Sequence, residues 1–239
     1  GDLYFSLGNT SREVIKSLSG KFNYSLENGI RDFAYTGNVL SILALTNNGY
    51  VIEQLKDEVI FNSIYINSDL NFRHIAFHQG EIYLAGGSGI FKIINNVPVL
   101  LQKFGVKELA SNDDCMLAEA TEGIYRFDNL KGEFFKLASQ GERVFPGKSS
   151  CFFVDNLTNF IVDEDREKRV KPRLNKLILE HQGELLQWHH LHEQTHFVNI
   201  ETGETVASTE ERVLYKRVVS YKDDILFLGH ADVNTSILK

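Results

Sequence analysis

A unit of about 37 residues recurs along this 239-residue chain, and that recurrence narrows the available folds more than any other feature. The clearest copy is GEIYLAGGSGIF at 80–91. Related anchors begin GDLYFSLGN at 1, GNVL at 37, DDCM at 113, SSCF at 149, GELL at 183 and DDIL at 223. Their first apolar residues are Leu3, Val39, Ile82, Cys115, Cys151, Leu185 and Ile225, spaced by 36, 43, 33, 36, 34 and 40 residues. A second apolar segment follows, often after glycine: GYVI at 49, GIF at 89, GIYRF at 123, FVNI at 197. Polar turns then lead to a third segment, as NLKGE does before FFKLA and ETGE before TVAS. Before the later anchors lies one more: RDFAYT at 31–36, RHIAFH at 73–78, KELAS at 107–111, KLILEH at 176–181 and RVVSYK at 217–222.

Four short segments per unit, rich in Val, Ile, Phe and Tyr and bounded by Gly, Asn and Asp turns, predict a four-stranded antiparallel blade. No segment carries a capped helical periodicity. The pattern resembles the β-propeller superfamily. GIYRFD and VNIETGETV are similar to the third-to-fourth strand hairpin of WD40-like and quinoprotein-like blades, and GEIYLAGG is similar to the second strand of a kelch blade. The sequence departs from those families in having no Trp-Asp pair at a strand end and a Gly-Gly pair in only one unit. The resemblance implies an all-β chain forming a single β-propeller over residues 1–239. Seven anchors predict seven blades, with six as the alternative. The incomplete first and last units are expected to share strands and so remove exposed sheet edges.

Composition agrees with this reading. Eighteen Gly against three Pro suit tight hairpins, while 17 Phe and 9 Tyr suit layers packed between sheets. WD40 and lectin-like propellers usually spend Trp in every blade, and this chain has one. The net charge of −7 argues against a general nucleic-acid binder and suits a cationic partner. No stretch approaches the roughly 20 apolar residues that a bilayer crossing requires, so no membrane partner is expected.

Cys115 and Cys151 are 36 residues apart, the repeat spacing. Equivalent positions on neighbouring units predict two buried, reduced thiols and a cytoplasmic location. Secretion is the alternative, with a signal peptide removed before Gly1. Four Asn-x-Ser/Thr sequons, at Asn9, Asn23, Asn156 and Asn234, point weakly that way.

Three segments invite a chemical reading. His192-Glu193-Gln194-Thr195-His196 fits H-E-x-x-H, whose zinc chemistry needs a helix to bring both His residues onto one face. The repeat puts the segment between two strands instead, so a polar loop is expected, with neither metal nor cofactor. The spacing from Leu185 to Phe197 is longer than its counterpart from Ile82 to Phe91, which predicts a lengthened loop. The loop carries Trp188, His189, His190 and His192, candidates for partner binding; for Trp188, packing between blades is the competing reading. Gly147-Lys148-Ser149 is no P-loop, because the preceding Gly141 stands one residue too far and a strand follows. The run DEDREKRVKPR at 163–173 predicts an acidic hairpin turn and a basic outer strand. Lys168, Arg169, Lys171 and Arg173 are its candidate contacts for phosphate or an acidic partner, against a charged edge that merely protects the sheet.

The expected function is therefore a non-enzymatic protein–protein interaction module: an adaptor, an assembly subunit, or an inhibitor or immunity-type binder using loops on one face. A hydrolase or lyase working at the channel mouth and a carbohydrate-binding propeller are the alternatives.

Overall fold

In a computed structural model the chain is described at residues 4–9, 12–17, 23–26, 29–36, 39–56, 59–172, 178–191, 194–209, 214–221 and 224–230. The strands run in chain order. The first three are β1 (Tyr4–Asn9), β2 (Arg12–Ser17) and β3 (Asn23–Leu26). Sheet II follows with β4 (Ile30–Thr36), β5 (Val39–Thr46), β6 (Gly49–Lys56) and β7 (Val59–Ile66). Sheet III has β8 (Phe72–His78), β9 (Glu81–Gly86), β10 (Gly89–Ile94) and β11 (Val97–Gln102). Sheet IV has β12 (Val106–Ser111), β13 (Met116–Ala120), β14 (Gly123–Asp128) and β15 (Glu133–Ala138). Sheet V has only β16 (Glu142–Pro146), β17 (Cys151–Asp155) and β18 (Phe160–Asp163). Sheet VI has β19 (Ile178–His181), β20 (Glu184–Leu191), β21 (Gln194–Asn199) and β22 (Thr205–Thr209). Last come β23 (Leu214–Tyr221) and β24 (Asp224–His230), which join β1–β3 in sheet I, in the order β23-β24-β1-β2-β3.

The described residues thus form six sheets, not seven. The reason is topological. The first anchor lies at β1 and the last at β24, and the two strands pair in parallel at Leu7 and Gly229. Two partial repeats at opposite ends of the chain are halves of one sheet. Within every sheet sequential strands pair antiparallel, as the short turns require.

The chain divides into two compact units, one of residues 30–170 and the other of 1–29 with 171–239. In the first unit the core lies in layers between successive sheets. Leu43, Ile52, Phe72, Ile75 and Leu84 fill the layer between sheets II and III, with Phe72 set edge-on to Tyr50 and Phe91 at centroid distances of 5.2 and 5.3 Å. Leu109, Met116 and Ala118 meet Ile90 between III and IV, and Leu117, Ile124 and Phe153 meet between IV and V.

Polar ties cross the same seams. Asp32 on β4 accepts a hydrogen bond from the Ile75 amide at 3.0 Å, and Tyr50 Oη accepts one from the Phe72 amide at 3.1 Å. His78 is 1% exposed, with ring nitrogens 2.6 Å from the Asn112 carbonyl and 2.6 Å from Asn129 Oδ1. Asn112 in turn donates to the Gly147 carbonyl at 2.8 Å, so one polar chain runs through sheets III, IV and V. Gly89 and Gly123 open equivalent strands at φ +138° and +133°, where any Cβ would strike the carbonyl oxygens of Gln102 and Ala138. That explains the glycine at the head of each of these strands.

Cys115 and Cys151 form a disulfide with a Cα–Cα distance of 5.9 Å, which corrects the expectation of two free thiols. Equivalent positions on adjoining sheets are side by side, not apart. Cys115 precedes β13 and Cys151 opens β17, and Asn112 holds both sides of that seam through the Cys115 amide at 2.9 Å and the Gly147 carbonyl.

Candidate partner-binding surfaces

The histidine-rich segment belongs to sheet VI. Pairing of β20 with β21 continues as far as Leu191 and Gln194, leaving only residues 192 and 193 between the strands. The lengthened loop expected from the spacing is therefore a lengthened hairpin: the extra residues extend both strands. His192 and Glu193 lie outside the described residues, and His190 stands within β20. Thr195 and His196 stand in a strand, so the helix on which H-E-x-x-H zinc binding depends is missing.

Trp188 faces Phe197 across the hairpin and is 6% exposed, so its ring is interior and is not presented to a partner. His189 faces His196, with ring centroids 5.6 Å apart and planes 27° from parallel. Nδ1 of His189 is shut off from solvent and has no hydrogen-bond partner. Burial pulls this imidazole below its ordinary value of 6.5, and His196 adds to the pull. The sign follows. The unfolded chain takes up the proton first, so stability falls as pH drops through 6.5 and the loss is complete below the folded-state value. Replacing His189 by Phe is expected to remove this share of the acid sensitivity. Melting temperatures of both proteins between neutral and mildly acidic pH check it; parallel curves would contradict the assignment.

The charge run folds back on its own acids. Asp163 accepts hydrogen bonds from the amides of Asp165 and Glu167 at 3.1 and 3.0 Å and is paired with Arg169, which also reaches Glu167 at 3.5 Å. Arg166 lies 3.9 Å from Asp155 and over the Phe153 ring, and Lys168 lies over the Phe160 ring. Arg126 of β14 reaches Glu164 and Asp165 at 3.5 and 3.1 Å. Burial raises the Glu164 carboxyl above its ordinary range; Arg126 opposes the shift, while Asp165, Asp163 and Asp114 reinforce it. The expected fourth strand of sheet V shrinks to a single bridge between Val162 and Lys168. Arg169 is thus committed to internal pairs, Lys171 is exposed, and Arg173 lies outside the described residues.

Among the described residues, rows of exposed apolar side chains stand elsewhere, on edge strands. β7 presents Val59, Phe61 and Tyr65 at 66%, 56% and 73% exposure, while its Ile64 and Ile66 are buried. β11 presents Val97, Val99 and Leu100, and β15 presents Phe135. Among the described residues, β7, β11 and β15 each stand at one end of their sheets, so no further strand pairs with their outward edges. Sequence reasoning missed these rows. The signal was present in VIFNSIYI at 59–66 and VPVLL at 97–101, which are apolar at both alternations where a half-exposed strand alternates with polar residues.

No protein-family model matches the chain, and no curated protein matches it in sequence. Solved structures do resemble its fold. The WD40 β-propeller domain of Doa1 aligns with a TM-score of 0.56 at 10% identity, over 95% of this chain and 88% of that one. YCF48 bound to D1 peptide aligns at 0.60 and 11% identity, over 94% of this chain and 85% of that one. The β-propeller domain of Myceliophteria thermophila Cps50 (Swd1) aligns at 0.51 and 15% identity, over 88% and 87%. The fold is a β-propeller.

Proposed function

We propose that this protein is a non-enzymatic interaction module, with residues 1–239 acting as one domain that binds a protein partner. The observation that carries the reading is the exposed apolar surface of β7 and β11, set on sheets whose inner side chains are buried in a shared core. Exposed apolar patches on a rigid scaffold cost solubility and mark contact sites. The fold supports the same reading, because propellers present rigid edges and loops around a paired core. The surface favoured here is the outer strand row, in place of the His189–His190 segment and the run containing Lys168 and Arg169. A cationic partner suits the net charge of −7.

The test is purification of the chain from its own source at its native level. One stoichiometric protein partner is expected, and the double variant Phe61→Glu with Tyr65→Glu is expected to weaken it at least about tenfold, the equivalent of 1.4 kcal/mol. A monomer without a stoichiometric partner, or a partner whose affinity ignores both substitutions, overturns the proposal.

A further inference from the structure

The turn between β17 and β18 carries Asn156-Leu157-Thr158, one of the four sequons. It is a well-defined surface turn. Asp155 Oδ1 accepts a hydrogen bond from the Leu157 amide at 2.9 Å, the Asp155 carbonyl accepts one from the Asn159 amide at 2.7 Å, and Asn159 sits at φ 52°. Asn156 is exposed and Leu157 is 73% exposed. Thr158 differs from both. Its hydroxyl is buried and bonded to nothing, an arrangement that costs the fold stability. The hydrogen bonds that shape the turn do not use this hydroxyl, whereas a sequon requires it.

A second observation stands at the other end of the same strand. Cys151 opens β17 and is disulfide-bonded to Cys115. Cys151 is 0% exposed and Cys115 is 3% exposed. Buried structural disulfides belong to oxidising compartments, the setting in which sequons are modified. Asn9 and Asn23 also lie at strand ends, closing β1 and opening β3, whereas Asn234 lies outside the described residues.

We propose that Asn156 carries an N-linked glycan, added in the oxidising compartment where the Cys115–Cys151 bridge forms. The donor is a lipid-pyrophosphate-linked oligosaccharide. Nδ2 of Asn156 bonds to the anomeric carbon, the carbon–oxygen bond to pyrophosphate breaks, lipid pyrophosphate leaves with the electron pair, and the amide gives up one proton. Oxidation of the thiols passes two electrons to the disulfide-forming oxidants of that compartment. The placement leaves Leu157 and the glycan on solvent at one turn, away from the interior of sheet V.

Site-resolved mass spectrometry of the full chain from its own source, without reductant and after enzymatic release of N-glycans, decides the matter. The expected result is a glycan on most Asn156 and a linked Cys115–Cys151 peptide. Thr158→Ser keeps the glycan and Thr158→Ala loses it at Asn156. Thr158→Ala melts no lower than enzymatically deglycosylated wild-type protein, since the lost hydroxyl made no bond. An unmodified Asn156, or free thiols at Cys115 and Cys151, overturns the proposal; so does a Thr158→Ala protein that keeps its glycan.

Discussion

Replacing Cys115 and Cys151 together with serine lowers the stability of the 30–170 unit by about 4 kcal/mol and its melting temperature by roughly 10 °C. The bridge closes a 36-residue loop, so its loss restores conformational freedom to the unfolded chain. Serine adds to the cost, because both positions are buried and each new hydroxyl would need a partner. The wild-type protein under reducing conditions is expected to melt near the double variant. Calorimetry with and without reductant checks both statements. A double variant that melts with the oxidised wild type would show that the seam between sheets IV and V does not depend on the bridge.

Phe72→Ala is expected to cost about 3–5 kcal/mol, the range for removing a fully buried aromatic side chain. Phe72 is 1% exposed and touches two rings, Tyr50 on sheet II and Phe91 on its own sheet, so the cavity lies where two sheets meet. Its β-strand neighbours are fixed by backbone pairing and cannot collapse into the space. Phe135→Ala serves as the control. That side chain is 42% exposed on the edge strand β15, and the expected change is about 0.5 kcal/mol or less. Denaturant unfolding of the two variants separates the cases. Equal losses would contradict the layered core.

Much of the fold is legible in the sequence because the repeat and the strand chemistry point the same way. The anchors at Val39, Ile82, Leu185 and Ile225 each fall in or next to the second strand of a sequential set, and the glycines before Tyr50, Ile90 and Ile124 open the next strand. What spacing alone does not reveal is pairing between distant segments. Leu3 and Ile225 read as two units because 222 residues separate them, yet β1 and β24 lie side by side. The disulfide escaped for a related reason: a shared repeat position describes rank along the chain, while the sheets bring that rank into contact across a seam.

The candidate sites are less legible. Trp188 and the extra residues near 189–196 suggested a loop, but strand pairing absorbed them. Arg169 reads as a free cation in sequence and is tied to Asp163 in the fold, since a hairpin returns it to its own acidic half. The exposure of Val59, Phe61 and Tyr65 depends on which strand ends a sheet, and strand order is a tertiary property.

Hydrogen–deuterium exchange on the chain, free and with its bound partner, locates the working surface. Slowed exchange is expected to be confined to β7 and β11, where an arriving partner covers apolar side chains and edge amides. Protection confined to residues 188–196, with β7 and β11 unchanged, would contradict it and return the working surface to the histidine-rich hairpin.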